Sequence, residues 1–536
     1  MGKLRKLNCP KTLACFRARW TGRCSGRQNL AAALSLLPLL FAVLGVMPVA
    51  AAGESALARA VAAESAGHPG ATGVLLVDTG REALAERDAL IDAATRTIDA
   101  QYYIWNPDAS GRYLAGRLLA AAGRGVRVRI LLDDINIAGR DAALAALAAH
   151  PLIEIRIYNP AAARSGIRRL WGFAREFSRL NRRMHNKSFT VDGAVSIIGG
   201  RNIGNEYFDL DPAKNFRDRE VLVAGPVVAG ITAGFEAFWT SRWTQLAGSL
   251  AAEALSPAQL DAARGRLDAA AAELASLGHA MPAVRADAGA HAGALLPRLT
   301  WAPAQLVVDL PPDGDDTMAD SSRPQAVAQA LYDLAESAQQ EIVLESAYLI
   351  LDARTLAQAA TLTARGVGIR ALTNSLASND LVTNHSGYAR QRKAMLASGL
   401  ELFELRPDAG ACQRLIATAG GCANGREFAL HSKSLVVDRR VVYVGSFNIN
   451  LRSTYLNSET ALIIHSPLLA ERIAASIEEL MAPDSSWQVL QRVSGGLEWR
   501  TGSASGPVVE THEPMSGFWR RFTSRVYRMF PLEKYL

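Results

Sequence analysis

Cysteine is scarce in this chain, five in 536 residues, too few for a fold built on disulfides. Cys9, Cys15 and Cys24 sit near the start, while Cys412 and Cys422 share a Gly/Ala-rich loop and could pair in an oxidising compartment. No Cys/His spacing has the form of a zinc site, so neither a metal nor a cofactor is expected. Lysine is scarce too. Beyond residue 28 only Lys187, Lys214, Lys393, Lys433 and Lys534 occur, and arginine supplies nearly all other positive charge. Acidic residues are absent from residues 1–28, which carry eight basic ones. The formal net charge of +7 belongs to that leader, because the remainder holds fifty basic against fifty-one acidic residues. Such a body is not the basic object that a nucleic-acid backbone favours, which argues against a nuclease.

What the chain does have is length, and 536 residues exceed a single core, so two lobes are expected. After the basic leader, Leu30 to Ala52 is a run of uncharged, mostly apolar residues long enough to span a bilayer. Its flanking charge predicts a membrane anchor or a signal segment ending at Ala50-Ala51-Ala52. The expected location is the bacterial inner (cytoplasmic) membrane, with the body on the outer, periplasmic side.

The body repeats itself. Ile98 to Ile104 is strand-like, Leu114 to Ala122 helical, and Val126 to Leu132 strongly β. Glu341 to Leu349, a helix ending near Arg365, and Val367 to Thr373 follow the same plan. This is a whole-domain duplication rather than a short-period array. The expected organisation is a leader and membrane segment over 1–52, a first lobe over 53–245, an Ala-rich connector over 246–315, a second lobe over 316–490 and a C-terminal extension over 491–536. Two stretches interleave arginine with aromatic residues and suit an anionic lipid surface. One is 163–183; the other is C-terminal, where Phe518, Phe522, Val526 and Phe530 recur every four residues beside Arg521, Arg525 and Arg528.

The strongest signal is a motif repeated at a constant offset. His185, Lys187 and Asp192 recur as His431, Lys433 and Asp438, and Asn202 recurs as Asn448. Residues two apart in a strand point to one side, so each His and Lys share one space. Asp192 falls at an odd offset and precedes Gly193, a hairpin corner, so its place in the motif carries an orienting or structural task. Two of the five lysines beyond residue 28 fall in the motif, as a site needing a compact charge beside a phosphate oxygen would require. Paired histidines, lysines and asparagines point to phosphoryl transfer through a covalent intermediate, one imidazole attacking and the other moving the proton. Glu220 and Glu459, charged residues on apolar strands, are candidates to orient the histidines.

These residues, with Gly445-Ser446-Phe447-Asn448, Arg452-Ser453 and Asn457-Ser458-Glu459, resemble the phospholipase D superfamily. Asp99 to Trp105, Phe177 to Lys187 and Leu372 to Asp380 narrow the resemblance to the bacterial cardiolipin synthases of the C type. The resemblance covers roughly residues 75–536. It implies an α/β fold of two duplicated phospholipase D-like α/β/α sandwich lobes related by a pseudo-twofold and sharing one active site. It also implies that His185 is the nucleophile and His431 the acid and base, with the two lysines and aspartates completing the catalytic set. Gly200 departs from the pattern where the family often has the serine seen at Ser446, so no serine hydrogen bond is counted on from the first half. The implied reaction joins a phosphatidyl group from phosphatidylethanolamine to phosphatidylglycerol through a phosphohistidine. A phospholipase D-type hydrolase is the alternative, since nothing in the motif excludes water, and a phosphodiesterase nuclease ranks below it.

Overall fold

The computed structural model describes residues 54–137, 141–162, 175–250, 256–277, 288–312, 323–415, 427–503 and 506–530. The first sheet begins with β1 (Thr72–Val77), β2 (Thr97–Tyr102), β3 (Arg127–Asp133), β4 (Ile153–Tyr158), β5 (Ser188–Val191) and β6 (Val195–Gly199). After a separate strand, β7 (Lys214–Arg217), it is completed by β8 (Glu220–Ala224), β9 (Thr244–Leu246) and β10 (Thr300–Ala302). Its spatial order is β10-β1-β8-β6-β5-β2-β3-β4-β9.

The second sheet opens with β11 (Ala304–Val308), β12 (Glu341–Ser346), β13 (Gly368–Asn374) and β14 (Leu400–Leu405). Another separate strand follows, β15 (Glu427–Leu430), then β16 (Lys433–Val437), β17 (Val441–Gly445) and β18 (Thr460–His465). The last three are β19 (Ser486–Gln491), β20 (Leu497–Ser503) and β21 (Gly506–Glu510). The order is β11-β18-β17-β16-β12-β13-β14-β19-β20-β21. Strand for strand, β1-β8-β6-β5-β2-β3-β4-β9 repeats as β11-β18-β17-β16-β12-β13-β14-β19. In both sheets three central strands run parallel and the remainder antiparallel. The duplication read from the sequence is thus present as topology.

Strands β5, β6 and β16 are buried along their whole length, as strands covered on both faces must be. Their runs of Val, Ile, Leu and Phe meet that demand. Helices Gly80–Ala93 and Ala109–Gly123 cover the first sheet from outside, and Ala326–Glu336 and Ala353–Ala364 pack in the second half. Between the sheets lie Val227–Trp239 and Pro467–Met481. One apolar cluster runs across them, joining Ile198, Val221 and Ile231 of the first half to Val436, Leu462 and Ile473 of the second. Each such buried side chain contributes roughly 1.5–3 kcal/mol, so the halves hold each other in place.

Several boundaries differ from the expected ones. β11 starts the second repeat at Ala304, within the stretch read as connector, because it pairs with β18 from Ala304↔Ile464 to Val308↔Thr460. The helices of that connector, Pro257–Asp268, Ala270–Ser276 and Ala288–Leu295, are Ala-rich, and Ala270 and Leu274 are buried in the core of the first lobe. β20 and β21 extend the second sheet into the stretch read as a C-terminal extension.

The expected inner-membrane location is corrected. Among the described residues no helix is long and apolar enough to cross a membrane. The run Leu30 to Ala52 and the basic leader lie outside the described residues, as do 163–174 of the arginine-rich stretch and Cys422. Cys412 is disulfide-bonded.

Candidate active site

The repeated motif reaches the cleft between the lobes by an exchange. β7 pairs in parallel with β15 of the other half, from Lys214↔Glu427 to Arg217↔Leu430. This places the His431 N–H on the Arg217 carbonyl at 2.7 Å, and the next residue of the first half, Asp218, beside the His431 ring. On the opposite side the His185 N–H donates to the Ser458 carbonyl at 2.9 Å, with Glu459 next in sequence. His185 Nδ1 lies 2.7 Å from Glu459 Oε2, and His431 Nδ1 lies 2.5 Å from Asp218 Oδ2. Each imidazole is therefore held by a carboxylate of the other lobe. The carboxylate accepts, so Nδ1 carries the hydrogen and Nε2 keeps its lone pair.

Glu220 does not orient a histidine. Its carboxylate accepts from Arg87, with Nη1 at 2.9 Å and Nη2 closer still, and from Arg201 Nε at 3.2 Å. Asp218 takes the expected role instead. The register explains why: Gly199 pairs with Glu220 and Gly445 with Ala461. Two residues before each partner stand Asp218 and Glu459. Counting along the chain from each histidine misses this equivalence, since β7 and its turn occupy the first half only.

Asp192 and Asp438, counted with the catalytic motif, sit away from the cleft. Asp192 accepts from the N–H groups of Thr95, Arg96 and Thr97, and Asp438 from those of Gln339, Gln340 and Glu341. Each has a positive φ, 52° and 50°, at the corner of a hairpin. Their common task is to close a helix–strand junction, because a residue at an odd offset leaves the histidine face.

Lys187 Nζ donates to the His185 carbonyl at 2.6 Å, and Lys433 Nζ donates to the His431 carbonyl while lying 2.9 Å from His431 Nδ1. Both lysines are 1 % exposed. Burial pushes Lys187 down to about 7 and Lys433 to about 8, against the pull of Glu459 and Asp218 respectively. It also takes His185 down to about 4 against Glu459, and lowers His431 with help from Lys433. Asp218 feels the same burial, but His431 and Lys433 outweigh it and bring it to about 2. The resting site is thus two neutral imidazoles on two charged carboxylates.

Ser446 donates to Glu459 Oε2 at 2.5 Å and Ser453 to Oε1 at 2.7 Å, fixing that carboxylate on both oxygens. Gly200 stands where the serine would repeat, and a Cβ there would lie 2.5 Å from Asp218 Oδ1. No side chain fits. Asn202 lines the cleft with its amide between the Ile104 N–H and the Tyr207 hydroxyl, and Asn448 keeps a buried Oδ1 without a partner among the described residues. The cleft has a volume of about 550 Å³ and contains both histidines, Arg183, Arg452, Tyr348 and Asp380. Among the described residues one group has metal-ligating geometry, His385, Glu404 and Glu513. There the Arg392 guanidinium already bonds both carboxylates and supplies the compensating charge.

The family model described as "Cardiolipin synthase, PLD-like domain" matches twice, over residues 88–239 and 331–481. Cardiolipin synthase C of Escherichia coli (strain K12) is 37% identical over 494 residues, covering 89% of this chain and 99% of that one. Cardiolipin synthase A of Pseudomonas entomophila (strain L48) is 24% identical, covering 77% and 70%. The crystal structure of phosphatidylserine synthase of Haemophilus influenzae Rd KW20 superposes with a TM-score of 0.55 at 12% identity, over 89% of this chain and all of that one, a likeness of fold. With a matching domain in each half and a relative that aligns along nearly its whole length, the chain belongs to the cardiolipin synthase family of phospholipase D-like proteins.

Proposed function

We propose that this phosphatidyltransferase makes cardiolipin by transferring a phosphatidyl group from phosphatidylethanolamine to phosphatidylglycerol through a phosphohistidine on His185. The observation that carries the reading is the crossed arrangement: two imidazoles face one cleft, each oriented through Nδ1 by a buried carboxylate of the opposite lobe. His185 Nε2 attacks phosphorus, the bond to the headgroup oxygen breaks, and His431 gives its proton to the departing alkoxide. A bound phosphodiester brings negative charge beside both lysines and raises His431 toward the protonated form this step needs. Neutral His431 then takes the proton from the incoming hydroxyl of phosphatidylglycerol. That oxygen attacks phosphorus, the P–N bond breaks, and both imidazoles return to their starting states. In this reading Lys187, Lys433, Asn202 and Asn448 are assigned as the donors to charge on the non-bridging oxygens. No step calls for a metal, so activity is expected to persist in EDTA; loss that a divalent cation restores would overturn that part.

A substrate carried in a lipid aggregate suits the C-terminal helix Phe518–Tyr527. Phe518, Trp519 and Phe522 are exposed on it, with Met529 and Phe530 beyond its end and Arg525 among them. Aromatic and basic side chains together favour an anionic lipid surface.

The test is purified protein with labelled phosphatidylethanolamine and phosphatidylglycerol, with products identified. Cardiolipin from the wild type and none from His185→Ala or His431→Ala is expected. Phosphatidic acid as the sole product would make the protein a hydrolase.

A further inference from the structure

The cleft is pseudo-symmetric in backbone but not in charge. At the His185 end, Arg183 and Arg452 line it, and their charge reaches Tyr103, whose ring meets the His185 imidazole edge-on at 4.9 Å. At the other end the lining is a short stretch after β13 that includes Asp380, Leu381, Thr383 and Asn384. Asp380 acts on His431 and Lys433 through its charge, which places it on the His431 side. The Tyr348 hydroxyl lies 3.0 and 2.9 Å from its two carboxylate oxygens, and among the described residues it has no cation as an ion-pair partner. Asp380 also acts on Lys214 through its charge, but the bonded contacts of the neighbouring basic side chains go to other groups. Lys214 donates to the Ser378 carbonyl and lies 3.7 Å from Glu427, while Arg520 donates to the carbonyls of Leu376 and Asn379. Asn384 is 5 % exposed and its Oδ1 has no partner among the described residues. This end therefore offers a carboxylate, a buried carbonyl oxygen and the tyrosine rings of Tyr348 and Tyr207. That combination seeks a cation.

The reading of His431 as proton donor decides which part of the substrate arrives there. The leaving alcohol departs on the side of the group that protonates it. We propose that Asp380, with Asn384 and Tyr348 beside it, is the subsite that holds the ammonium of the donor's leaving alcohol, so that the preferred donor is a phospholipid with a short ammonium-alcohol headgroup. In the transfer step the phosphorus–oxygen bond breaks, the oxygen takes the His431 proton, and the product is a free amino alcohol, its ammonium still on Asp380. The incoming phosphatidylglycerol replaces it with hydroxyl groups, which a carboxylate accepts without demanding a charge. The arginine end keeps the anionic phosphatidyl portion. A cleft with unlike ends suits the joining of unlike molecules.

The inference rests on the proposed transferase reading, and its test separates the two. Wild type and Asp380→Asn are compared with the labelled phosphatidyl group supplied on phosphatidylethanolamine or on phosphatidylglycerol, with unlabelled phosphatidylglycerol as acceptor in both. The expected result is that the ratio of kcat/KM for the ethanolamine donor to that for the glycerol donor falls about 10- to 100-fold, the loss of one charge-assisted contact. Tyr348→Phe, which keeps the carboxylate and removes its anchor, moves the ratio in the same direction by less. An unchanged ratio, or an equal loss with both donors, would overturn the subsite. Wild-type protein that uses phosphatidylglycerol as donor at least as well as phosphatidylethanolamine would overturn it too and leave phosphatidyl transfer standing. No cardiolipin from either donor would bring down the proposed function beneath it.

Discussion

The acids around the histidines differ in what they do, and single substitutions tell them apart. Asp218→Asn or Glu459→Gln leaves the ring in place but removes the charge that fixes its tautomer. A loss in kcat of roughly 100- to 10,000-fold is expected, the range for removing a histidine-orienting carboxylate. Glu220→Gln should behave differently. It strips the charge that neutralises Arg87 and Arg201, both fully buried. Stability should fall by about 3–5 kcal/mol in chemical denaturation, while the folded fraction keeps most of its kcat. A kcat loss matching that of Asp218→Asn, with stability intact, would return Glu220 to the site. The lysines set a pH limit. Lys187 and Lys433, held at about 7 and about 8, are charged below those values and neutral above them. Phosphate binding should weaken as pH rises through that interval, so kcat/KM is expected to fall from near pH 7 upward. A kcat/KM that stays flat to pH 10 would contradict it.

At the scale of elements, the two aspartates of the motif act on backbone rather than substrate. Each closes a junction between a helix end and the first residues of a central strand, three N–H groups at a time. Asp192→Ala and Asp438→Ala should each cost about 1–3 kcal/mol in thermal or denaturant unfolding, the cost of leaving such donors without their acceptor. Their kcat should stay within a few-fold of wild type. The turn before β8 has no such slack. Because a Cβ at Gly200 meets Asp218, Gly200→Ser should displace that carboxylate and bring activity toward that of Asp218→Asn. The structure also shows why only one lobe has the serine. Ser446 anchors Glu459 in the second half, whereas in the first half the closer Asp218 fills the equivalent space.

At the scale of the molecule, the protein is a dimer of lobes within one chain. Both histidines serve one cleft, and each depends on a carboxylate across the interface. Purified His185→Ala and His431→Ala proteins mixed together should therefore regain no synthesis, since neither chain completes a cleft. Recovery on mixing, read by cardiolipin formed, would mean that lobes exchange between chains. The shared apolar cluster argues against exchange. Separating the lobes would expose Ile198, Val221, Val436 and Leu462 together.

Much of this was determined by sequence alone. A motif repeated at fixed offset, with lysine where the chain otherwise uses arginine, identifies His185, Lys187, His431 and Lys433, because strand periodicity puts residues two apart on one side whatever the rest of the chain does. Hydrophobic runs of Val, Ile and Leu likewise mark buried strands, and the doubled pattern marks doubled lobes. Tertiary structure decided the partners. Asp218 stands 213 residues from His431 and Glu459 stands 274 from His185; no local pattern connects residues that meet only where the lobes cross. Glu220 carries the same sequence signal as Glu459, a charge on an apolar strand. Only the register, and the two arginines that reach Glu220 from its own lobe, separates an acid that neutralises the core from one that holds a histidine ring of the cleft. Asp380 is the same case at the cleft rim. In the sequence it is one acid at the end of a loop; in the structure it lines the cleft beside Tyr348, and among the described residues no cation lies within ion-pair distance of it.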